Sequence, residues 1–140
     1  MRSIHGSLSF LQPLIQVSIG PFGGAFGDRE TCTALIDTGA TRTCLTPRLI
    51  QKFGLQPKSK LLVSSATSAP ERRRAYSYSL GLFCNEGAAG LQTLYVLPYE
   101  FIAPPFIDND NFDVLLGMDI LSQGRLVFEA DGSFLFDFTF

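Results

Sequence analysis

The stretch Ala34-Leu35-Ile36-Asp37-Thr38-Gly39-Ala40 brings an apolar run to an abrupt halt at a carboxylate. An acid directly after a buried strand is costly unless it is hydrogen-bonded or used. The small residue and glycine that follow let the backbone turn tightly, bringing N–H groups toward the carboxylate. Thr38 adds a hydroxyl that can tie the loop to a neighbour. Asp-Thr-Gly is also ordinary turn chemistry, so the stretch alone fits a plain strand end equally well.

Outward from this point the dominant period is two, the signature of strands. Ile15, Val17 and Ile19 alternate with Gln16 and Ser18, and a turn region from Gly20 to Asp28 returns the chain through Thr31 to Ile36. This is a hairpin whose second arm delivers Asp37. A short helix is expected next, with Thr46 as N-cap, Pro47 first and Gly54 ending it. Leu49, Ile50 and Phe53 share its inner face. A second hairpin starts at Leu61-Leu62-Val63 and returns through Tyr76, Tyr78, Leu80 and Leu82, with Ser64 to Arg74 as an exposed tip. Leu94 to Leu97 reads as a buried strand and Pro98 to Asp110 as a long surface loop. Val114-Leu115-Leu116-Gly117 reads as a short apolar strand, and Met118 to Gln123 as one or two helical turns. A third hairpin around Asp131-Gly132 closes the chain, with Phe134, Phe136, Phe138 and Phe140 on one face. The expectation is a single all-β, closed barrel-like domain over residues 1–140, with one or two short helices.

Composition narrows the function. The chain of 140 residues has a net charge of −2, against a general affinity for nucleic acid. A chain of this length buries roughly 70% of its unfolded surface, so no metal or disulfide is required for a core. Cys32, Cys44 and Cys84 are odd in number and lack C-x-x-C pairing, which speaks against a zinc site and for free thiols in a reducing cytoplasm. No segment reads as a signal peptide or membrane span. His5 is the single histidine and falls in a segment expected to be loose, which sets aside Ser-His and Cys-His mechanisms.

A second stretch, Phe112-Asp113-Val114-Leu115-Leu116-Gly117-Met118-Asp119-Ile120-Leu121, decides between the two readings of Asp37. With Leu35-Ile36-Asp37-Thr38-Gly39-Ala40 before it, the chain from about Ile15 to Ser122 resembles the retropepsin-like aspartic proteases. That family pairs an Asp-Thr-Gly-Ala motif with a later apolar-apolar-Gly ahead of a short helix. The resemblance implies that Asp37 is catalytic, with Thr38, Gly39, Ala40, Leu116 and Gly117 supporting its loop and no cofactor. It implies a mechanism in which one carboxylate activates water and a protonated partner polarises the peptide carbonyl, the pair sharing one proton. Only one Asp-Thr-Gly is present, because Asp131-Gly132-Ser133 has another order and sits in a turn. The second carboxylate is therefore expected from Asp37 of another subunit in a homodimer.

The resemblance further implies that Thr38 bonds across the two-fold axis and that the chain termini build the interface. The Phe-rich last strand is either part of that surface or ordinary core. The hairpin from Leu62 to Tyr78 matches the family's flap, which makes Ser64, Ser65, Ala66, Thr67 and Ser68 candidate substrate contacts. This tip lacks the glycines of viral flaps, and with the loop after Pro98 and Met118-Asp119 it points to a cellular, bacterial branch. Arg72-Arg73-Arg74 reads first as a solvated turn; the sharper reading is attraction of acidic substrate segments. Asp119 reads first as a helix-start carboxylate, with support of the catalytic loop as the alternative. Asp108, Asp110 and Asp113 lack the glycine and glutamate of a calcium loop. The competing function is a non-catalytic dimeric module that holds peptides or assembles through the same cleft; a latent protease activated by processing is a third.

Overall fold

A computed structural model of the chain describes residues 1–65, 68–86 and 90–139. In chain order the elements begin with β1 (Arg2–Ser7), β2 (Leu14–Gly20), β3 (Glu30–Ile36), β4 (Cys44–Leu45) and α1 (Pro47–Phe53). They continue with β5 (Pro57–Ser65), β6 (Ser68–Asn85), β7 (Gln92–Val96), β8 (Phe101–Ala103) and β9 (Val114–Leu116). The last are α2 (Met118–Leu121), β10 (Gly124–Phe128) and β11 (Ser133–Phe138).

β2 and β3 form the expected antiparallel hairpin, Val17 facing Cys32. The pairing path runs β10-β11-β1-β6-β2-β3-β9-β4, with β5, β7 and β8 each added to β6. The path ends at β10 and β4, which do not pair among the described residues. The sheet is thus a curled half-barrel and not the closed barrel expected. β6 makes the curl possible. At 18 residues it is long enough to pair β5 and β8 with its first part, and β2 and β7 with its last.

Inside the curl Val17, Ile19, Leu80, Leu82, Val114 and Leu116 are wholly buried. Phe134, Phe136 and Phe138 complete this core at 2%, 0% and 1% exposure, so the Phe face of the last strand is core and not an interface. Phe140 lies outside the described residues. α1 starts and stops where expected, Gly54 taking φ 59 at its end. Thr46 precedes it in extended conformation, but its hydroxyl donates to Asp113 at 3.0 Å instead of capping the helix. None of the described helices is long and apolar enough to cross a membrane.

Four further expectations need correction. The N-terminal segment is not loose: β1 pairs β11 from Arg2↔Phe138 to Ser7↔Ser133. Its pattern was faint because Ile4 is its only buried side chain. The stretch from Pro98 to Asp110 contains β8, whose Phe101 and Ala103 are buried and which pairs Tyr76 to Tyr78. Flanking prolines hid it, since proline is confined to strand ends and edges. Leu94 to Leu97 is not fully buried: Leu94 and Tyr95 are half-buried on β7, and only Leu97, just after it, is enclosed. The exposed tip is also shorter than expected. Lys60↔Arg74 through Val63↔Glu71 are strand pairs, so Arg72, Arg73 and Arg74 belong to an arm and not to a turn. The β6 side of that ribbon, Glu71 to Arg74, is wholly charged, which leaves no alternation to read.

Between β1 and β2 the chain reverses at Phe10 and Leu11, which take φ 49 and φ 64. Ser9 and Gln12 close the turn with reciprocal backbone bonds of 2.9 Å. Left-handed backbone is unfavourable for side chains with a Cβ, and the two residues are 99% and 87% exposed, so packing gives little back. Asn-Gly suits such a turn far better. Phe10→Asn combined with Leu11→Gly is expected to raise unfolding stability by about 1–2 kcal/mol. Urea denaturation reads this directly, and a lowered midpoint would show that the two side chains hold something together.

Candidate active site

β3 and β9 lie side by side and parallel, in the register Ala34↔Val114, Leu35↔Leu115 and Ile36↔Leu116. Buried parallel strands read as continuous apolar runs, and both stretches do. β4 pairs the other edge of β9, antiparallel. The chain from Asp37 to Thr43 therefore arches over the end of β9 to join the two strands on either side of it. Asp37 N–H donates to the Leu116 carbonyl at 2.9 Å, extending the ladder by one residue. Gly39 N–H donates to Asp37 Oδ1 at 2.9 Å, and Ala40 N–H to the Asp37 carbonyl at 3.2 Å.

The second motif locks this arch from below. A Cβ on Gly117 would lie 2.7 Å from the Arg42 carbonyl carbon and oxygen and 2.8 Å from the Ala40 oxygen, so only glycine fits. The first N–H groups of a helix lack intrahelical partners. Here Met118 N–H donates to the Ala40 carbonyl at 2.8 Å and Asp119 N–H to that of Thr41 at 3.2 Å. The start of α2 thereby fixes the loop.

A buried polar brace completes the support. Thr43, 1% exposed, donates to Asp119 from its N–H at 2.9 Å and from its hydroxyl at 2.7 Å. The same hydroxyl accepts from Gly117 N–H at 3.1 Å. Its carbonyl accepts from the Tyr78 hydroxyl. Burial pushes the Tyr78 phenol well above its ordinary value, so it remains a neutral donor. Every polar group in this brace has a partner, which is the condition for a buried network to add rigidity.

Beside the loop opens a cleft of about 440 Å³ between Gly39 to Arg42 on one side and Leu61 to Ser64 of β5 on the other. Cys44 lines it, but burial, then the nearby Asp119, pushes its thiol up to about 11. A thiol held neutral is a poor nucleophile. Asp37 itself is half-buried and borders an open depression with Leu35, Phe106, Phe112 and Leu115. A carboxylate fixed on a braced loop at the mouth of a cleft is suited to general acid–base work.

The family model for aspartyl proteases matches residues 22–120, from the turn after β2 through both motifs into α2. The chain belongs to the aspartyl protease family. Comparison with solved structures finds a retropepsin-like aspartic protease from Rickettsia conorii, 16% identical, covering 97% of this chain and 90% of that one, with a TM-score of 0.47. Family membership rests on the matched family model and not on that superposition. Comparison with curated proteins finds no match.

In this member of the aspartyl protease family the residues expected at the site fall into two groups. Asp37, Thr38, Gly39, Ala40, Leu116 and Gly117 come together as one bonded unit, with Thr38 exposed at its outer side. Of the flap residues, Ser64 lines the cleft, and Ser65 pairs Ser68 at the end of the hairpin. Ala66 and Thr67 lie outside the described residues. Reading the sequence missed Thr43 and Tyr78, whose roles depend on contacts between distant segments. Asp119 was read first as a helix-start carboxylate, and it does accept from Ile120 N–H at 2.9 Å. Its bonds to Thr43 make it a support of the Asp37 loop as well. Asp108 and Asp113 turn toward α1, bonding Arg48 and Thr46.

Proposed function

We propose that this chain is an aspartic endopeptidase acting as a symmetric dimer, with Asp37 of each subunit forming the catalytic pair. The observation that carries this reading is the state of the Asp37 carboxylate. Oδ1 is held by Gly39 N–H, while Oδ2 has no partner among the described residues. One oxygen is anchored and the other is open to a water or a second carboxyl group.

Two carboxyl groups brought together at a two-fold axis share one proton. The ionised member takes a proton from water as its oxygen attacks the peptide carbonyl carbon. The protonated member gives its proton to the carbonyl oxygen, producing a gem-diol. When the C–N bond then breaks, the leaving nitrogen takes a proton from the pair and the gem-diol returns one to it, leaving an acid and an amine. Thr38 is exposed, with its hydroxyl unpartnered among the described residues, which supports its bonding the neighbouring subunit's loop in this dimer. β5 pairs only β6 among the described residues, so its other edge is free to take a peptide by strand addition. Free Cys32, Cys44 and Cys84 suit a reducing, cytoplasmic setting. A peptide library digested by the native chain and by Asp37→Asn tests the reading: cleavage by the native chain alone supports it, and equal turnover by both ends it.

A further inference from the structure

The cleft beside the catalytic loop is lined by one charged side chain, Arg42. Its backbone is fixed on both sides by Asp119, which donates N–H to the Thr41 carbonyl and accepts from Thr43 N–H. The Arg42 side chain is exposed and has no hydrogen bond or ion pair among the described residues. Two carboxylates of the same loop and its support are engaged elsewhere: Asp119 by Thr43 and Ile120, and Asp37 Oδ1 by Gly39. Arg48, by contrast, is paired with Asp113, and Arg29 spends its guanidinium on Ser18 and Ser79. Arg42 is thus a cation on a rigid base with no ion-pair partner among the described residues.

A second cation approaches from the flap arm. Arg73 stands opposite Leu61 on β6, half-buried, with Glu71 as a loose partner at 3.8 Å. Leu61, its cross-strand partner, lines the cleft, which brings this second guanidinium to the cleft's edge. Leu61, Val63 and Pro104 supply apolar walls there.

We propose that this part of the cleft is a specificity subsite for an acidic substrate side chain, glutamate before aspartate, with Arg42 as the recognising residue. The inference rests on the endopeptidase reading and names its substrate class. A guanidinium matches a carboxylate bidentately. The apolar walls take the methylene groups of glutamate and exclude water, which strengthens the pair beyond an exposed surface bridge. A pre-positioned backbone lowers the ordering cost of binding. Arg73 adds to the field without contact, so the arginine run acts through one member. Its neighbours Arg72 and Arg74 are solvent-exposed.

The test uses matched peptides carrying Glu or Gln at each position flanking the cleaved bond. At one position the native chain is expected to cleave the Glu peptide with kcat/KM about tenfold or more above the Gln peptide, the selectivity of one charge-assisted pair. Arg42→Gln is expected to bring that ratio close to one, and Arg42→Glu to reverse it. No acid preference at any position, or one that survives in Arg42→Gln, overturns the proposal. Binding of the same peptides to Asp37→Asn, with and without Arg42→Gln, reads the ratio as Kd independently of turnover. If the native chain cleaves nothing, an Arg42-dependent Kd ratio keeps the subsite while the endopeptidase reading falls; its absence there ends both.

Discussion

Asp37→Asn is expected to lower kcat for peptide cleavage by at least about 10³-fold while leaving the fold in place. The amide has the shape of the carboxylate, and its oxygen can still accept from Gly39 N–H, the bond of 2.9 Å that sets the loop. What disappears is a group able to take a proton from water and return it to the leaving nitrogen. Because the side chain is half-buried at the mouth of a depression, the substitution places no new bulk in the core. Unfolding midpoint and catalytic rate should therefore separate: the first nearly unchanged, the second lost. Substantial turnover by the purified variant would mean that some other group activates the water.

Gly117→Ala is the second large effect, and here stability and activity are expected to fall together. The added methyl would meet the Arg42 carbonyl carbon and oxygen at 2.7 Å and the Ala40 oxygen at 2.8 Å. These are backbone atoms on the inner side of the arch, and no flexible side chain can yield in their place. Relief requires moving the loop away from β9. That stretches the Met118 N–H bond to Ala40 and the Gly117 N–H bond to the Thr43 hydroxyl, 2.8 Å and 3.1 Å long. A loss of about 2–4 kcal/mol is expected from overpacking combined with broken buried hydrogen bonds. Residual folded protein should be impaired in turnover, since Asp37 is carried on the displaced loop. Urea denaturation with peptide cleavage on the same samples measures both, and a native-like midpoint would mean that the arch is slacker than its contacts imply.

The centre of the molecule was legible because its physics is local or periodic. β3 ends in, and β9 consists of, a short apolar run, Ala34 to Ile36 and Val114 to Leu116, and each run is followed by a telling residue: Asp37 on the turning loop, Gly117 under the arch. α1 was legible for the same reason, bounded by Pro47 and by Gly54 in left-handed conformation. β1 and β8 were not, because Ile4 alone, or Phe101 and Ala103 among prolines, cannot raise a period above background. Only the start of the flap hairpin's second arm, up to Arg74, reads as tip in the sequence, because Glu71 to Arg74 is wholly charged and shows no alternation. The Thr43, Tyr78 and Asp119 brace joins three segments through three hydrogen bonds. Hydroxyls and carboxylates in polar runs carry no mark of such pairing. The position of the Arg42 guanidinium in the lining is visible only once the cleft exists.

The pairing of two Asp37 side chains in one site is tested most directly by counting. A tight-binding peptide that carries a non-hydrolysable hydroxyl group in place of the cleavable bond should titrate, by calorimetry, at one molecule per two chains, with native mass spectrometry showing the complex as a dimer. One molecule per chain, or a complex holding a single chain, would be incompatible with a site built from both.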